Sequence, residues 1–93
     1  HGCISVTANV APKLCAEFQD ACLKGNFDRA RELHDKLMPL HDAMFCEPSP
    51  AGAKFGVSLL GHCTPEVRLP LIELTETGRA QVKAAMKGCG LSF

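Results

Sequence analysis

Three side chains that can bind a metal ion share one stripe of a predicted helix. His34, Met38 and His41 follow one another at steps of four and three residues, so they lie on the same face of an α-helix. Imidazole nitrogens and a thioether sulfur bind soft or borderline metal ions. No fourth ligand follows at a recognisable spacing, and stripes of this kind usually face a neighbouring helix or solvent. We therefore expect no metal ion here.

Six cysteines offer a second kind of chemistry: Cys3, Cys15, Cys22, Cys46, Cys63 and Cys89. None forms a Cys-x-x-Cys pair, and Cys15 and Cys22 would lie about 10 Å apart along one helix, too far for a disulfide. A nucleophilic cysteine needs a histidine in contact and a third group that orients the histidine, and the sequence alone cannot locate either. We expect reduced, mostly buried thiols in a cytoplasmic protein.

Lys54 lies in an otherwise apolar stretch, between Ala53 and Phe55. A lysine that forms a Schiff base needs such a setting, because desolvation favours the neutral, nucleophilic amine. The alternative, which we favour, is a lysine that emerges from a helix face. Asp35 and Asp42 are likewise expected to be solvated charges on a helix surface and not a catalytic pair.

Composition limits the function classes further. The chain of 93 residues suffices for one compact domain and carries ten basic and ten acidic side chains. With no net charge it has no excess field to attract nucleic acid or an anionic membrane surface, and we expect neither partner. It contains no Tyr, which excludes a catalytic tyrosine. No apolar run approaches the roughly 20 residues that span a bilayer, so we expect a soluble protein.

The hydrophobic pattern predicts one strand followed by four helices. A β-branched stretch over residues 2–7 is typical of a short strand. Helical spacing follows over 10–23, and Pro12 and Gly25 suit its two ends. After Asn26 comes a second helix with one apolar seam at steps of three and four residues. The seam comprises Phe27, Ala30, Leu33, Leu37, Leu40 and Met44.

The second half of the chain predicts two further helices. Pro39 lies inside the second helix and should bend it, because proline removes a backbone donor. A third helix is predicted over 50–60, followed by an extended, packed connection over 62–74. A last helix begins after Thr75 and ends near 88–90. This helix runs through the apolar residues Ala80, Val82, Ala85 and Met86.

The predicted strand has no partner elsewhere in the sequence. A strand exposes backbone donors and acceptors on both edges, so something outside this chain should pair with it. A strand that leads directly into a helix, with a helical cluster attached, is typical of the last β/α unit of a larger α/β array.

Several strings that are weak individually are specific in their order and spacing. The chain opens with His-Gly-Cys-Ile-Ser-Val-Thr-Ala-Asn-Val-Ala at 1–11. It continues with Leu-Met-Pro-Leu-His at 37–41, Phe-Cys-Glu-Pro-Ser-Pro at 45–50 and Arg-Leu-Pro-Leu at 68–71, and Gly-Leu follows at 90–91. Over essentially its whole length the chain resembles the C-terminal third of the dihydrodipicolinate synthase family.

The resemblance implies a mainly α fragment of an α/β (TIM) barrel. Residues 1–25 would form the last β/α unit of the (β/α)8 barrel and residues 26–93 the C-terminal helical domain. The family condenses pyruvate with aspartate semialdehyde in lysine and diaminopimelate biosynthesis, and holds pyruvate as a Schiff base on a lysine of an earlier strand. Lys54 does not match that lysine. The resemblance therefore implies that the chain alone is inactive, and we expect no cofactor.

One site residue carries over from the family. Ile4 matches the isoleucine whose backbone carbonyl borders the bound pyruvate near the lysine. Barrel active sites form at the C-terminal ends of strands, where a carbonyl can orient the imine. Cys3 stands where valine is commoner in the family, a change that affects only packing.

The resemblance also implies partners, namely the rest of the barrel or other copies of the chain, usually assembled as a cytoplasmic homotetramer. Without them, the helix faces around Leu14, Phe18, Leu33 and Leu37 should lack partners and leave the chain unstable. Two alternatives remain open. One is a sister pyruvate aldolase of the N-acetylneuraminate lyase type, and the other is a non-catalytic helical interaction module.

Overall fold

The computed structural model describes residues 2–93 and folds them into four α-helices. A short 3₁₀ helix, Thr7–Asn9, comes first. The α-helices are α1 (Pro12–Leu23), α2 (Phe27–Met44), α3 (Ala51–Leu59) and α4 (Glu76–Gly88). These bounds confirm the predicted helices. None of the helices within residues 2–93 is long and apolar enough to cross a membrane. His1, with which the family resemblance begins, lies outside the described residues.

Local signals in the sequence account for where the helices begin and end. Pro12 is the first residue of α1, where its missing N–H costs nothing. Gly25 follows α1 with a φ of +74°, a left-handed conformation that glycine adopts without strain. Asn26 and Thr75 cap α2 and α4, and each side chain accepts a hydrogen bond from the backbone N–H of the third helical residue. The sequence predicted that helices begin after both residues.

The other elements pack on α2, which contacts α1, α3, α4 and the 3₁₀ helix. Its predicted seam is buried from Ala30 to Met44. Leu33 and Leu37 are 2% and 1% exposed, so the expectation that their partners would be missing is wrong. The reason is that α1 covers this face of α2 from within the same chain. The helix is continuous through Pro39.

Two apolar side chains of the helical patterns are exposed, and one of them, Phe27, belongs to the predicted seam. Phe27, 67% exposed, is the first residue of α2 and lies beside the turn from α1, where the seam ends. Ala80 lies in α4 two positions before the buried Val82, and a step of two residues turns a helix by about 200°, to its opposite side. Apolar spacing therefore overestimated the length of the buried face of α2, and an apolar residue type alone did not indicate burial in α4.

Close backbone packing explains the small residues of α3. A Cβ atom added to Gly56 would lie 2.8 Å from Val10 Cγ2, and one added to Gly52 would lie 3.0 Å from the Met44 carbonyl oxygen. Either contact would force a neighbour to move. Lys54 stands on the opposite, exposed side of this helix. Its apolar neighbours in the sequence therefore belong to the buried face of α3 and do not surround the lysine.

The predicted strand over residues 2–7 does not form in this chain. Residues 2–5 have no helix or strand, and Thr7 already belongs to the 3₁₀ helix. The physical reason is that a strand needs a neighbour to accept and donate its ladder hydrogen bonds, and residues 2–93 contain no second strand. Without a neighbouring strand, the preference of these residues for an extended backbone does not produce a β-strand.

The connection between α3 and α4 is less packed than predicted. Leu74 is buried, but Leu69 and Ile72 are 85% and 68% exposed. Glu47 anchors the end of this connection instead. Its Oε2 accepts a hydrogen bond of 2.6 Å from Thr75 Oγ1, and its Oε1 accepts one of 3.3 Å from the Thr75 backbone N–H. The carboxylate thereby fixes the start of α4 to the segment that follows α2.

We predict that Leu33→Ala lowers the free energy of unfolding by about 2–5 kcal/mol, because it empties a fully buried site. Phe27→Ala, in the same predicted seam but exposed, should change it by only about 0.5 kcal/mol. Denaturant unfolding of the 93-residue chain, followed by circular dichroism, measures both. Equal effects of the two substitutions would show that α2 is not packed within the chain.

A second prediction concerns Gly78, where an added Cβ would overlap the Glu47 carboxylate. Gly78→Ala should therefore destabilise the chain by about 1–2 kcal/mol, since Glu47 must give up its hydrogen bonds to Thr75. In a Glu47→Ala background the same change should stabilise by up to about 1 kcal/mol, the helix propensity of alanine over glycine. Thermal unfolding of the four variants of this cycle measures the effect.

Gly88→Ala is the matched control, because that glycine is in the same helix and has open space around its Cβ position. Its effect should be the same with and without Glu47. If Gly78→Ala has the same sign in both backgrounds, the close approach of Glu47 does not constrain α4.

Candidate functional site

An open cleft lies between the first described residues and the end of α2. Its volume is about 580 Å³. One wall is the segment 3–7, which includes Ile4, and the other is formed by His41, Asp42 and Phe45. The Ile4 side chain is fully exposed and the Phe45 ring is 61% exposed. The cleft therefore presents an apolar side chain on each wall, with polar groups between them.

A hydrogen bond between Thr7 and His41 ties the two walls together. Thr7 Oγ1 lies 2.6 Å from His41 Nδ1, and Thr7 is 2% exposed. Within residues 2–93 no other polar side chain is buried to this degree. Burying a hydroxyl group is costly unless it is hydrogen-bonded, so His41 supplies the partner that this position requires. A hydroxyl donates and accepts, so the bond forms with either tautomer of the histidine.

Further hydrogen bonds fix the same segment on the side of α1. The Thr7 carbonyl accepts from the backbone N–H groups of Val10 and Ala11, at 3.0 and 2.9 Å. Ser5 Oγ accepts from the Ala8 N–H at 3.2 Å. The segment is thus held on both sides of Val6 before α1 begins.

Ile4 lies just before this fixed part of the chain. No hydrogen bond reaches its carbonyl oxygen from any group within the described part, residues 2–93. Its predicted function depends on that carbonyl and not on the side chain. The structure places Ile4 in the open cleft, with its backbone free to interact with a group outside the chain.

The thiols are less buried than predicted. Cys89 is buried, whereas Cys3 and Cys63 are exposed and the other three are half-buried, and all six are free. The prediction of mostly buried thiols is therefore wrong, because several of them stand on the rims of the small helical core. Burial raises the pKa of Cys15, Cys46 and Cys89. A raised pKa keeps a thiol protonated at neutral pH and makes it a poor nucleophile.

The other residues considered for chemistry do not meet in one place. His34 is exposed, with its ring centroid 6.4 Å from that of Phe18, while His41 points to Thr7. Within residues 2–93 no group of three or more histidine, cysteine or acidic side chains is arranged to hold a metal ion. Asp35 is exposed at the surface of α2, as expected, and Asp42 is exposed at the rim of the cleft.

The pair of Thr7 and His41 was missed from the sequence. A signal was present, because His41 follows the buried Leu37 by four residues and precedes the buried Met44 by three. His34 has the same spacing from the buried Ala30 and Leu37 and is exposed, so this signal does not single out His41. The sequence does not say which residue supplies the hydroxyl group, since Thr7 lies 34 positions away.

Comparison with known proteins identifies the chain as similar to one family of enzymes. The model of the dihydrodipicolinate synthetase family matches residues 1–89. A 4-hydroxy-tetrahydrodipicolinate synthase from Cereibacter sphaeroides is 59% identical over 90 residues, which are 97% of this chain and 31% of that protein. The enzyme of the same name from Neisseria meningitidis serogroup B is 58% identical over the same shares. The chain thus spans about a third of the length of these relatives.

Solved structures agree with the sequence comparison. A monomeric dihydrodipicolinate synthase variant superposes with a TM-score of 0.93 and 38% identity, over 98% of this chain and 30% of that one. Dihydrodipicolinate synthase from Thermotoga maritima gives a TM-score of 0.91 and 38% identity, over 96% and 30%. These matches confirm the predicted fold class. The chain therefore belongs to the dihydrodipicolinate synthetase family and corresponds to the C-terminal, helical part of its α/β-barrel members.

Proposed function

We propose that this chain is the C-terminal part of a 4-hydroxy-tetrahydrodipicolinate synthase, a pyruvate-dependent Schiff-base lyase of lysine and diaminopimelate biosynthesis. The observation that carries the proposal is the 59% identity, across 97% of the chain, to the Cereibacter sphaeroides protein of that name. In the complete enzyme, pyruvate and aspartate semialdehyde would condense at the barrel. The chain supplies one edge of that site.

In this proposal residues 1–25 are the last β/α unit of the barrel and residues 26–93 are the C-terminal helical domain. The segment before Val6 supports this division, because it has no helix or strand of its own and only the short 3₁₀ helix separates it from α1. A neighbouring barrel strand would supply the ladder hydrogen bonds that the segment lacks here. The rest of the barrel is thus the partner that completes it.

The Ile4 carbonyl borders the bound pyruvate and orients the imine. Two features support this role. The carbonyl has no hydrogen-bond partner within residues 2–93, and the residue stands in an open cleft. In a barrel the C-terminal end of a strand faces the active site, which is where such a carbonyl is useful.

The Schiff-base lysine comes from outside this chain. Lys54 lies on the exposed face of α3, whereas an amine that condenses with pyruvate needs a desolvated pocket. The isolated chain is therefore inactive. The curated relatives named above are all 4-hydroxy-tetrahydrodipicolinate synthases, which gives no support to a sister pyruvate aldolase or to a non-catalytic interaction module.

The complete enzyme is a cytoplasmic homo-oligomer, a tetramer by analogy with the family. The six free cysteines of this chain support a cytoplasmic location, where thiols stay reduced.

A chimera tests the proposal: in the Cereibacter sphaeroides synthase, the segment that this chain matches is replaced by the chain itself. We expect the chimera to condense pyruvate with aspartate semialdehyde at a rate of the same order as the parent, because the chain brings the matching barrel strand and helices. Coupled reduction of the product, followed by loss of reduced nicotinamide absorbance, measures the rate. The isolated 93-residue chain should give no rate.

Borohydride reduction in the presence of pyruvate provides the control. The trapped lysine should lie in the parent part of the chimera, and Lys54→Gln should leave the trapping unchanged. A folded chimera without activity, or a trapped peptide that contains Lys54, would overturn the proposal.

A further inference from the structure

We propose that His41 is a positioning residue for the pyruvate site, which acts through Thr7 on the carbonyl of Ile4. The inference rests on the proposed function, in which that carbonyl borders pyruvate. Helix α2, in the helical part of the chain, would then help to set the geometry of residues 3–7, the segment proposed to belong to the barrel.

The Thr7 side chain is held in one position. It is 2% exposed, and its hydroxyl group lies 2.6 Å from His41 Nδ1. Any displacement would leave a hydroxyl group without its partner in a buried place, which costs more than the bond itself gains. His41 belongs to the last turn of α2, between the fully buried Leu40 and Ala43, so its own backbone is fixed by the core.

The position of the Thr7 side chain controls where Ile4 lies. Only Ser5 and Val6 separate Ile4 from Thr7, and the Ser5 hydroxyl group is itself held by the Ala8 N–H. On the other side, the Thr7 carbonyl is held by Val10 and Ala11. Within residues 2–93, the Thr7 side chain is therefore the point at which the segment is attached to α2 by a side-chain hydrogen bond.

A small displacement of the Ile4 carbonyl matters at a reacting centre. A misplacement of about 1 Å costs up to roughly a hundredfold in rate when the group orients reacting atoms. His41 does not act on the substrate directly, because its Nδ1 is hydrogen-bonded to Thr7. Its effect reaches the reaction through the backbone.

Four variants of the chimera test the proposal in two matched pairs. Thr7→Val keeps the shape and loses the hydroxyl group, while Thr7→Ser keeps the hydroxyl group. His41→Leu loses the ring nitrogen, while His41→Asn offers an amide near the position of Nδ1. We expect Thr7→Val and His41→Leu each to lower kcat/KM for pyruvate on the order of tenfold or more, with KM for aspartate semialdehyde unchanged. Thr7→Ser and His41→Asn should restore most of the loss.

The double variant Thr7→Val with His41→Leu should lose no more than either single variant, because both remove the same bond. Leu33→Ala is the control for a merely structural effect, since it removes a buried side chain from α2 away from the cleft. At temperatures where it remains folded, it should lower the unfolding temperature and leave kcat/KM for pyruvate unchanged.

The outcomes separate this inference from the proposed function. Suppose that the unsubstituted chimera is active and that Thr7→Val and His41→Leu have the same kcat/KM for pyruvate as Leu33→Ala. The positioning role is then wrong, and the proposed function stands. An inactive, folded chimera overturns both. Should Thr7→Val fail to fold, His41→Leu and its rescue by His41→Asn decide the question alone.

Discussion

Burial of one face of α2 is the interaction on which the remaining structure depends. Leu37, Leu40 and Met44 are at most 1% exposed, and each such side chain contributes roughly 1.5–3 kcal/mol through its removal from water. The other three helices and the 3₁₀ helix all contact α2. The same face carries His41, so the hydrophobic seam and the hydrogen bond to Thr7 are two parts of one surface. Core packing fixes the position of the His41 imidazole, and the hydrogen bond between this imidazole and Thr7 fixes the position of residues 3–7.

The helices could be predicted because their signals are local. Caps such as Asn26 and Thr75 act on backbone groups within one turn, and apolar spacing reports which face of a helix is buried. What spacing does not report is where a neighbouring helix ends, which is why Phe27 was placed in the core. The strand failed for a related reason, since strand formation depends on a partner that no local pattern supplies.

The candidate site was predictable only in part. Ile4 was found through resemblance to a family, because an exposed isoleucine with a free carbonyl has no signature in residue types or spacing. Thr7 and His41 escaped because a hydrogen bond between positions 34 residues apart is decided by the fold. His34 and His41 share one stripe of α2, and the fold likewise decides which of them meets a buried hydroxyl group.

The packing around Gly56 has a consequence for how the chain folds. Val10, from the start of the chain, and Met86, from its last helix, both lie against this glycine in one hydrophobic cluster. Bringing together segments so distant in sequence is slow and costs conformational entropy. The stabilisation from their contacts is gained only when both segments are present. The proposed division at residue 25 therefore does not separate two independent hydrophobic cores. Since residues on both sides of it share this cluster, we expect them to unfold together in one cooperative transition.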